Sequence, residues 1–597
     1  MSTPERPAVI TDNAFRFDSF SNGQYLYNKK TGRLPAMGWN SWNAFGSANT
    51  EELTKAMAEK ILELGLDKLG YRYVVLDDGC YKPVRVNGRL SNEETKFPGG
   101  FRALADYLHA KGLKFGMYND IGTHLCAGAN VGTCGFEAED AKSYVEWGID
   151  FIKVDNCYYL WDDATFSDRE NARYTYAPNI KSISITGSGH EQKLEAAKAK
   201  IIGNGPSFSD DHLTGIGTFD GTGPDVSPVG PLSGEALFEV NVPVAGEYAL
   251  TVEYSTGREP GVGAWLQVAL GHGEDLEFFY DDLLPETGDK ETYAESPKIP
   301  IRLKEGVNTV RLMNHRRQEN TLYSYSALKK GFEEAAPGND ILLSTCEWGK
   351  TQPHNWALKI ADSWRILNDI SFQVGAPGNI GHTEWESDYT TSITSQYNKA
   401  VIMDEFAGLD KGWNDPDMMV IGMGGITETM SKTHMTMWCM MNSPLMLGLD
   451  LRRVQKGDGL YNIIANKDII ALNQDPLGIQ AKRIYSTAEE QAPDTVYLRD
   501  NDRVDVLAKP LADGSVALSF INLSKERKGS ALSVDIPRIL SFLGGKLSNK
   551  DALAKATSFL VKDLWTGAEE KQTEGIFTVS GLEGCDCEVL KITPLGD

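Results

Sequence analysis

The stretch FIKVDNC, residues 151 to 157, is an apolar run that breaks on Asp155, with Lys153 two residues earlier. Side chains alternate along a strand, so the two lie on one side. A cation beside a carboxylate favours its ionised form, which suits a nucleophile or an electrostatic stabiliser. An acid that merely caps the next helix has the same local look, so the weight comes from company. WRILND places Arg365 four residues before Asp369, on one side of a strand by the same alternation, and GWNDPDMM carries Asp415 and Asp417 two apart. Asp77 and Asp78 in VVLDDG close another apolar run, facing opposite sides unless a bulge intervenes. Carboxylates converging from several strand ends, with lysine and arginine among them, fit glycoside hydrolysis, in which one acid attacks the sugar and another protonates the leaving oxygen. Trp39, Trp42, Tyr118, Trp348 and Trp413 supply stacking faces for a sugar ring. Clustered aspartates also suit a divalent cation, but the intervening cations compensate charge without one, and no metal ligand set is assigned. The acid-rich DLEFFYDDLLPETGD (275 to 289) reads as a solvated loop rather than a calcium site, and His354 and His434 lack ligand spacing.

These acids need a frame that brings strand ends to one rim. EELTKAMAEKILELG puts Leu53, Met57, Ile61 and Leu64 on one helical stripe; FRALADYLHAKG repeats the plan with Phe101, Leu104, Ala105 and Leu108, and EDAKSYVEWG with Ala141, Tyr144 and Val145. Gly65 or Gly70 stops the first helix, Gly112 the second and Gly148 the third, before apolar strands that finish on acid. Strands with few alternating polar positions are those of a parallel sheet covered on both faces. Further units at LPAMGWN, NDILLSTCE, SWRILND, the WNDPDMMVIG region and SPLMLGLD bring the count to eight, which predicts an α/β fold of the (β/α)8 TIM barrel kind, with chemistry at the carboxyl ends of its strands. No glycine-rich phosphate fingerprint follows the first strand, against an open doubly wound sheet.

Two regions break the alternation. Ala236, Phe238, Val240 and Val242, then Tyr248, Leu250, Val252 and Tyr254, carry a period of two across the turn VPVAGEY, and Ile301 to Leu312 repeat it around KEGVN. The sequence therefore predicts a barrel in two parts, 1–179 and 325–480, interrupted by an inserted β-sandwich at 180–324 and followed by a C-terminal antiparallel β-sandwich domain at 481–597, which opens with a hairpin around Asp513-Gly514.

The formal charge is −24, from 83 acids and 59 bases, which repels phosphate backbones and anionic lipid and so disfavours nucleic acid and membrane partners. No stretch has the length of a membrane span and the first residues carry no apolar leader, so the expected place is cytoplasmic; a secreted chain with its leader removed is the alternative. One glycosylation sequon, Asn522-Leu523-Ser524, fits the former. The eight cysteines lack paired zinc spacing and read mostly as buried thiols, with Cys585 and Cys587 alternating along a strand.

The motifs MGWNSWNAFG (37 to 46), VVLDDG, GMYND (116 to 120), FIKVDNC, STCEWG (344 to 349), WRILND, GWNDPDMMVIG and LNQDPLG (472 to 478) together resemble glycoside hydrolase family 27, mainly α-galactosidases, with α-N-acetylgalactosaminidases and β-L-arabinopyranosidases as siblings. The resemblance implies a cofactor-free retaining enzyme acting on oligosaccharides or glycoconjugates with a terminal α-galactose, with Asp155 as nucleophile, Asp369 as acid/base and Arg365 nearby. It further implies that Trp42, Asp77, Asp78, Tyr118, Lys153 and Asp417 hold the sugar, that Cys126 and Cys157 match a pair that forms a disulfide beside the pocket in secreted relatives, and that Glu347, with Trp348, favours a free 2-hydroxyl over an acetamido group. The usual cysteine-tryptophan after the paired aspartates is Gly79-Cys80 here, and a cysteine expected near Gly46-Ser47 is missing, so a common second disulfide is absent. The insert resembles carbohydrate-binding modules of the family 35 kind. A β-L-arabinopyranosidase, a catalytically silent carbohydrate-binding protein and a metal-dependent barrel are the alternatives, and a homo-oligomer is left open.

Overall fold

The computed structural model describes residues 30–157, 177–202, 207–209, 211–216, 234–256, 264–271, 276–314, 316–371, 373–388 and 390–595. Eight of its strands make one parallel sheet: β1 (Met37–Asn40), β2 (Tyr73–Val75), β3 (Lys114–Asp120), β4 (Phe151–Asp155), β5 (Leu342–Cys346), β6 (Ser363–Arg365), β7 (Trp413–Asp415) and β8 (Leu445–Leu447). Their spatial order is β7, β6, β5, β4, β3, β2, β1, β8. A parallel bridge between Met419, just past β7, and Leu447 in β8 joins the two ends and closes the barrel.

Alternation sorts the strand residues between two cores. Val75, Phe151, Leu342 and Met446 cluster inside the barrel, while Val74, Ile152, Val154 and Leu343 belong to the larger core beneath the helices. The covering helices include α1 (Glu51–Leu64), α2 (Gly100–His109), α3 (Glu137–Trp147), α4 (Arg316–Ala335), α5 (Ile393–Ala400) and α6 (Glu428–Met440). Thr50 caps α1 by accepting from the Leu53 amide, Met57, Ile61 and Leu64 are buried as their stripe predicts, and Gly65 ends it at φ 74°. Gly148 ends α3 at φ 77°. Helix α2 stops at His109, before the Gly112 expected to close it.

Between β4 and α4 the chain forms two antiparallel sheets, one around Glu235–Val242 and Gly306–Met313, the other around Gly246–Ser255 and Asn179–Gly187. Phe238, Val240, Leu250, Val252, Ile301 and Val310 meet in their shared core, so the period-two residues point inward. Most of the acid-rich stretch expected to be a solvated loop is instead the strand Glu277–Leu284, paired with Ala264–Leu270, where Asp281 accepts the Trp265 indole N–H at 2.7 Å. Helix α4 runs through residue 324 without a break.

The last part of the chain builds a six-stranded antiparallel sheet and a two-stranded one over a third core. Val504–Pro510 and Val516–Asn522 form the hairpin expected around Asp513-Gly514. Cys587 opens the final strand, but Cys585 lies before it at φ 59°, so the two do not share the alternation expected of them. Among the described residues no helix is long and apolar enough to cross a membrane.

Candidate active site

Parallel register brings the strand ends level. Asp120 pairs with Asp155 and Asp155 with Cys346, while Arg365 pairs with Asp415; two residues lower, Tyr118 pairs with Lys153 and Lys153 with Ser344. Asp155 is buried, and that burial pushes its carboxyl up to about 7; Lys153 opposes the rise and Asp369 adds to it. The Tyr118 hydroxyl lies 3.4 Å from Asp155 Oδ2, and Lys153 Nζ reaches Asp77 Oδ2 at 3.0 Å, which also accepts from Asn40 Nδ2 at 2.9 Å. Strand β2 stops at Val75, so Asp77 and Asp78 stand in the turn beyond it and both are buried. Asp78 accepts the Ala127 amide at 2.7 Å, and burial foremost, with the Asp77 charge, lifts it to about 6.

Arg365 bridges two acids through one nitrogen, Nη2. Its guanidinium holds Asp369 Oδ1 at 2.9 Å and Asp417 Oδ2 at 2.7 Å. The sequence predicts the first pair from strand alternation, but β6 ends at Arg365 and Asp369 comes back to it across a loop. Asp417 sits at φ 79° and accepts the Ile370 amide at 2.8 Å, which pins that loop to the barrel. Asp369 keeps 38% of its side chain exposed against 4% for Asp417, so of the two it is the one that solvent and ligand can reach.

Cys126 and Cys157 are joined in a disulfide with Cα atoms 5.3 Å apart. The Cys157 amide donates to Asp120 Oδ2 at 2.6 Å. Asp120 itself, quoted in GMYND but not among the predicted site residues, is pushed up to about 8 by burial and by the neighbouring Asp155 charge. It ends its strand on acid as Asp155 does, which was the signal for it. Asp120, Asp155 and the two sulfurs have ligand atoms within 4.8 Å of one another, the spacing of a metal centre; with the sulfurs bonded to each other, two carboxylates remain to offer.

Glu347 is buried, its Oε2 accepting from the Thr351 amide and hydroxyl at 2.8 and 2.7 Å, and burial raises it to about 8. Its Oε1 has no partner among the described residues. Lys350, a residue the sequence reading passed over, donates to the Asn156 carbonyl at 3.1 Å and sits 3.9 Å over the Trp348 ring. Of the aromatic candidates, Trp42 is partly buried and packs on the barrel's inner core. Trp39 and Trp413 belong to the fold, their indole N–H groups donating to Leu449 and Arg33 carbonyls. Where the second disulfide is missing, Gly79 at φ 98° lets the backbones close up: a Cβ there would lie 2.7 Å from the Ser47 Cα.

The model of the α-galactosidase A family matches residues 34–188 and 313–475, and that of the α-galactosidase C-terminal β-sandwich domain matches 501–592. The chain belongs to the α-galactosidase family, glycoside hydrolase family 27. The stretch left unmatched inside the α-galactosidase A model, between 188 and 313, holds most of the two antiparallel sheets that separate β4 from α4, while their strand Asn179–Gly187 falls inside the match. Among α-galactosidases, that of Cyamopsis tetragonoloba is 25% identical over 573 residues, 96% of this chain and 89% of its own. The crystal structure of α-galactosidase I from Mortierella vinacea matches with a TM-score of 0.57 at 22% identity, covering 94% of this chain and 97% of that one. The α-galactosidase from Saccharomyces cerevisiae, solved with raffinose, matches with a TM-score of 0.58 at 19% identity, covering 95% and 100%.

Proposed function

We propose that this chain removes terminal α-D-galactosyl residues from oligosaccharides or glycoconjugates with retention of configuration. The observation that carries the reading is the pairing of two acids with cations of their own: Asp155 at the end of β4 beside Lys153, and Asp369 on the loop past β6, held by Arg365 at 2.9 Å. Lys153 opposes protonation of Asp155, as a nucleophile needs, and Asp369 is the one of the two that a leaving oxygen and water can reach, as a proton carrier needs.

Asp155 attacks the anomeric carbon as its bond to the leaving oxygen breaks, and Asp369 gives that oxygen its proton. The glycosyl ester on Asp155 is then opened by water, whose proton returns to Asp369. Two inversions restore the starting configuration. Lys153 and Tyr118 border the attacking carboxylate, and the Arg365 clasp keeps Asp369 at the right reach. Asp77 and Asp78 offer lone pairs to sugar hydroxyls, Trp42 an apolar face, and the unpartnered Glu347 Oε1 a place for the 2-hydroxyl. The sheets between β4 and α4 and the C-terminal sheets serve as separate domains around this barrel.

The deciding experiment compares nitrophenyl α-D-galactoside with nitrophenyl β-L-arabinopyranoside. Faster turnover of the galactoside is expected. A preference for the arabinoside, or no turnover of either, would refute the proposal.

A further inference from the structure

A polar cleft of about 580 Å³ opens between the barrel and the C-terminal sheet, lined by Glu386, Asp388, Thr394, Tyr497, Arg499 and Lys525 among others. Its inner wall is the same stretch of chain that backs the Asp369 loop. The Thr391 hydroxyl donates to the Asp369 carbonyl and Gln396 Nε2 to the Asn368 carbonyl, while Ser392, next to Thr391, already lines the cleft. We propose that this cleft is a second carbohydrate-binding site, which holds the far end of a neutral oligosaccharide whose terminal sugar lies in the barrel.

Position is the first argument, and it rests on the reading of Asp369 as the acid. The group that protonates the leaving oxygen marks the side on which the rest of the substrate departs, and the cleft adjoins the loop that carries this group: Thr391 holds the Asp369 carbonyl, and the next residue, Ser392, lines the cleft. Chemistry is the second. A sugar chain presents hydroxyls that need donors and acceptors together, and a ring face that needs a flat apolar partner. The cleft supplies carboxylates, hydroxyls and amides as acceptors, Arg499 and Lys525 as donors, and the partly buried Tyr497 as the flat partner. Acids and bases of mixed sign suit a neutral ligand better than a polyanion. Preorganisation is the third. Asn501 donates to Thr394 at 3.0 Å and to Glu386 at 3.3 Å, Asn398 donates to Asn501 at 3.1 Å, and Lys525 pairs with Glu386 at 2.9 Å, so walls from two distant parts of the sequence are fixed to each other by the protein's own polar contacts. The volume is within the range of about 300–1,000 Å³ usual for ligand pockets.

The test measures kcat/KM of the full chain and of Arg499→Ala and Tyr497→Ala on three substrates: nitrophenyl α-D-galactoside, with a one-ring leaving group, and stachyose and galactosyl-mannopentaose, with long ones. Each variant is expected to lose about five- to tenfold on a long substrate, mainly through KM, and less than about twofold on the aryl galactoside. An equal loss on all three, or no loss on the long ones, overturns the inference. Arg499 is exposed, so its variant keeps the test open should Tyr497→Ala fold poorly. Calorimetric titration of Asp155→Asn with the same two oligosaccharides reads the cleft without turnover: Arg499→Ala added to it should weaken binding by the same factor, and unchanged binding counts against the site. A wild-type chain that leaves the aryl galactoside intact refutes the galactosidase reading instead, and the titration still judges the cleft.

Discussion

At the scale of single residues, the pocket concentrates carboxyl groups that burial holds protonated more readily than water would. Replacing Asp155 by Asn keeps the size and one acceptor oxygen but removes the attacking charge; turnover should fall by about four orders of magnitude or more with the thermal midpoint preserved. Asp120 gives a second, independent outcome. Its folded value is about 8 and its unfolded value near 4, so folding favours the protonated acid: that stabilisation is complete below pH ~4 and is lost as pH climbs through ~8. Asp120→Asn should therefore narrow the drop in melting temperature between pH 5 and pH 8, by about 2 °C or more, and an unchanged drop would show that Asp120 does not titrate there. The sequence showed Asp155, Lys153 and Asp369 because acids and cations at strand ends are conspicuous against apolar runs. It could not show the clasp on Asp417, which depends on a loop returning at positive φ, nor Lys350, whose turn gives no periodic signal.

At the scale of elements, the packing of α4 on α3 is decided by one small residue. A Cβ at Gly331 would lie 2.8 Å from the Ala141 Cβ and 3.0 Å from the Glu137 carbonyl, so the helices must part to admit it. Gly331→Ala should cost about 1–3 kcal/mol net of alanine's better helix propensity, read as a lower midpoint in urea; a midpoint that rises would show the helices separate freely. The helical stripes and period-two strands were legible because each buries one face along a regular repeat. Strands β2, β6, β7 and β8 are three residues long, too short to carry a period, and only the recurring plan of helix, glycine and apolar run exposed them. The acid-rich strand Glu277–Leu284 escaped because its composition resembles a loop, although its partner strand dictates its conformation.

At the scale of the whole molecule, the barrel and the C-terminal sheet share a buried charge network. Asp505 lies between Arg483 at 3.3 Å and Arg503 at 3.1 Å and accepts from the Tyr397 hydroxyl of α5 at 3.0 Å; the two guanidinium groups hold its carboxyl below the usual range despite burial. Asp505→Ala leaves two buried cations unmatched, at a cost of about 3–5 kcal/mol. In scanning calorimetry the barrel and C-terminal sheet should melt together and shift down in this variant, while the inserted sheets, which have a core of their own, keep their transition. Separate movement of barrel and sheet would dissolve the link. The insertion also sets an order of events during synthesis. Phe151 in β4 must wait for Leu342 in β5, its neighbour in the closed barrel, until the whole excursion has left the ribosome. The nascent first four staves therefore spend that interval with both edges uncovered, β4 awaiting β5 and β1 awaiting β8, while the excursion, which has a core of its own, is free to finish folding first.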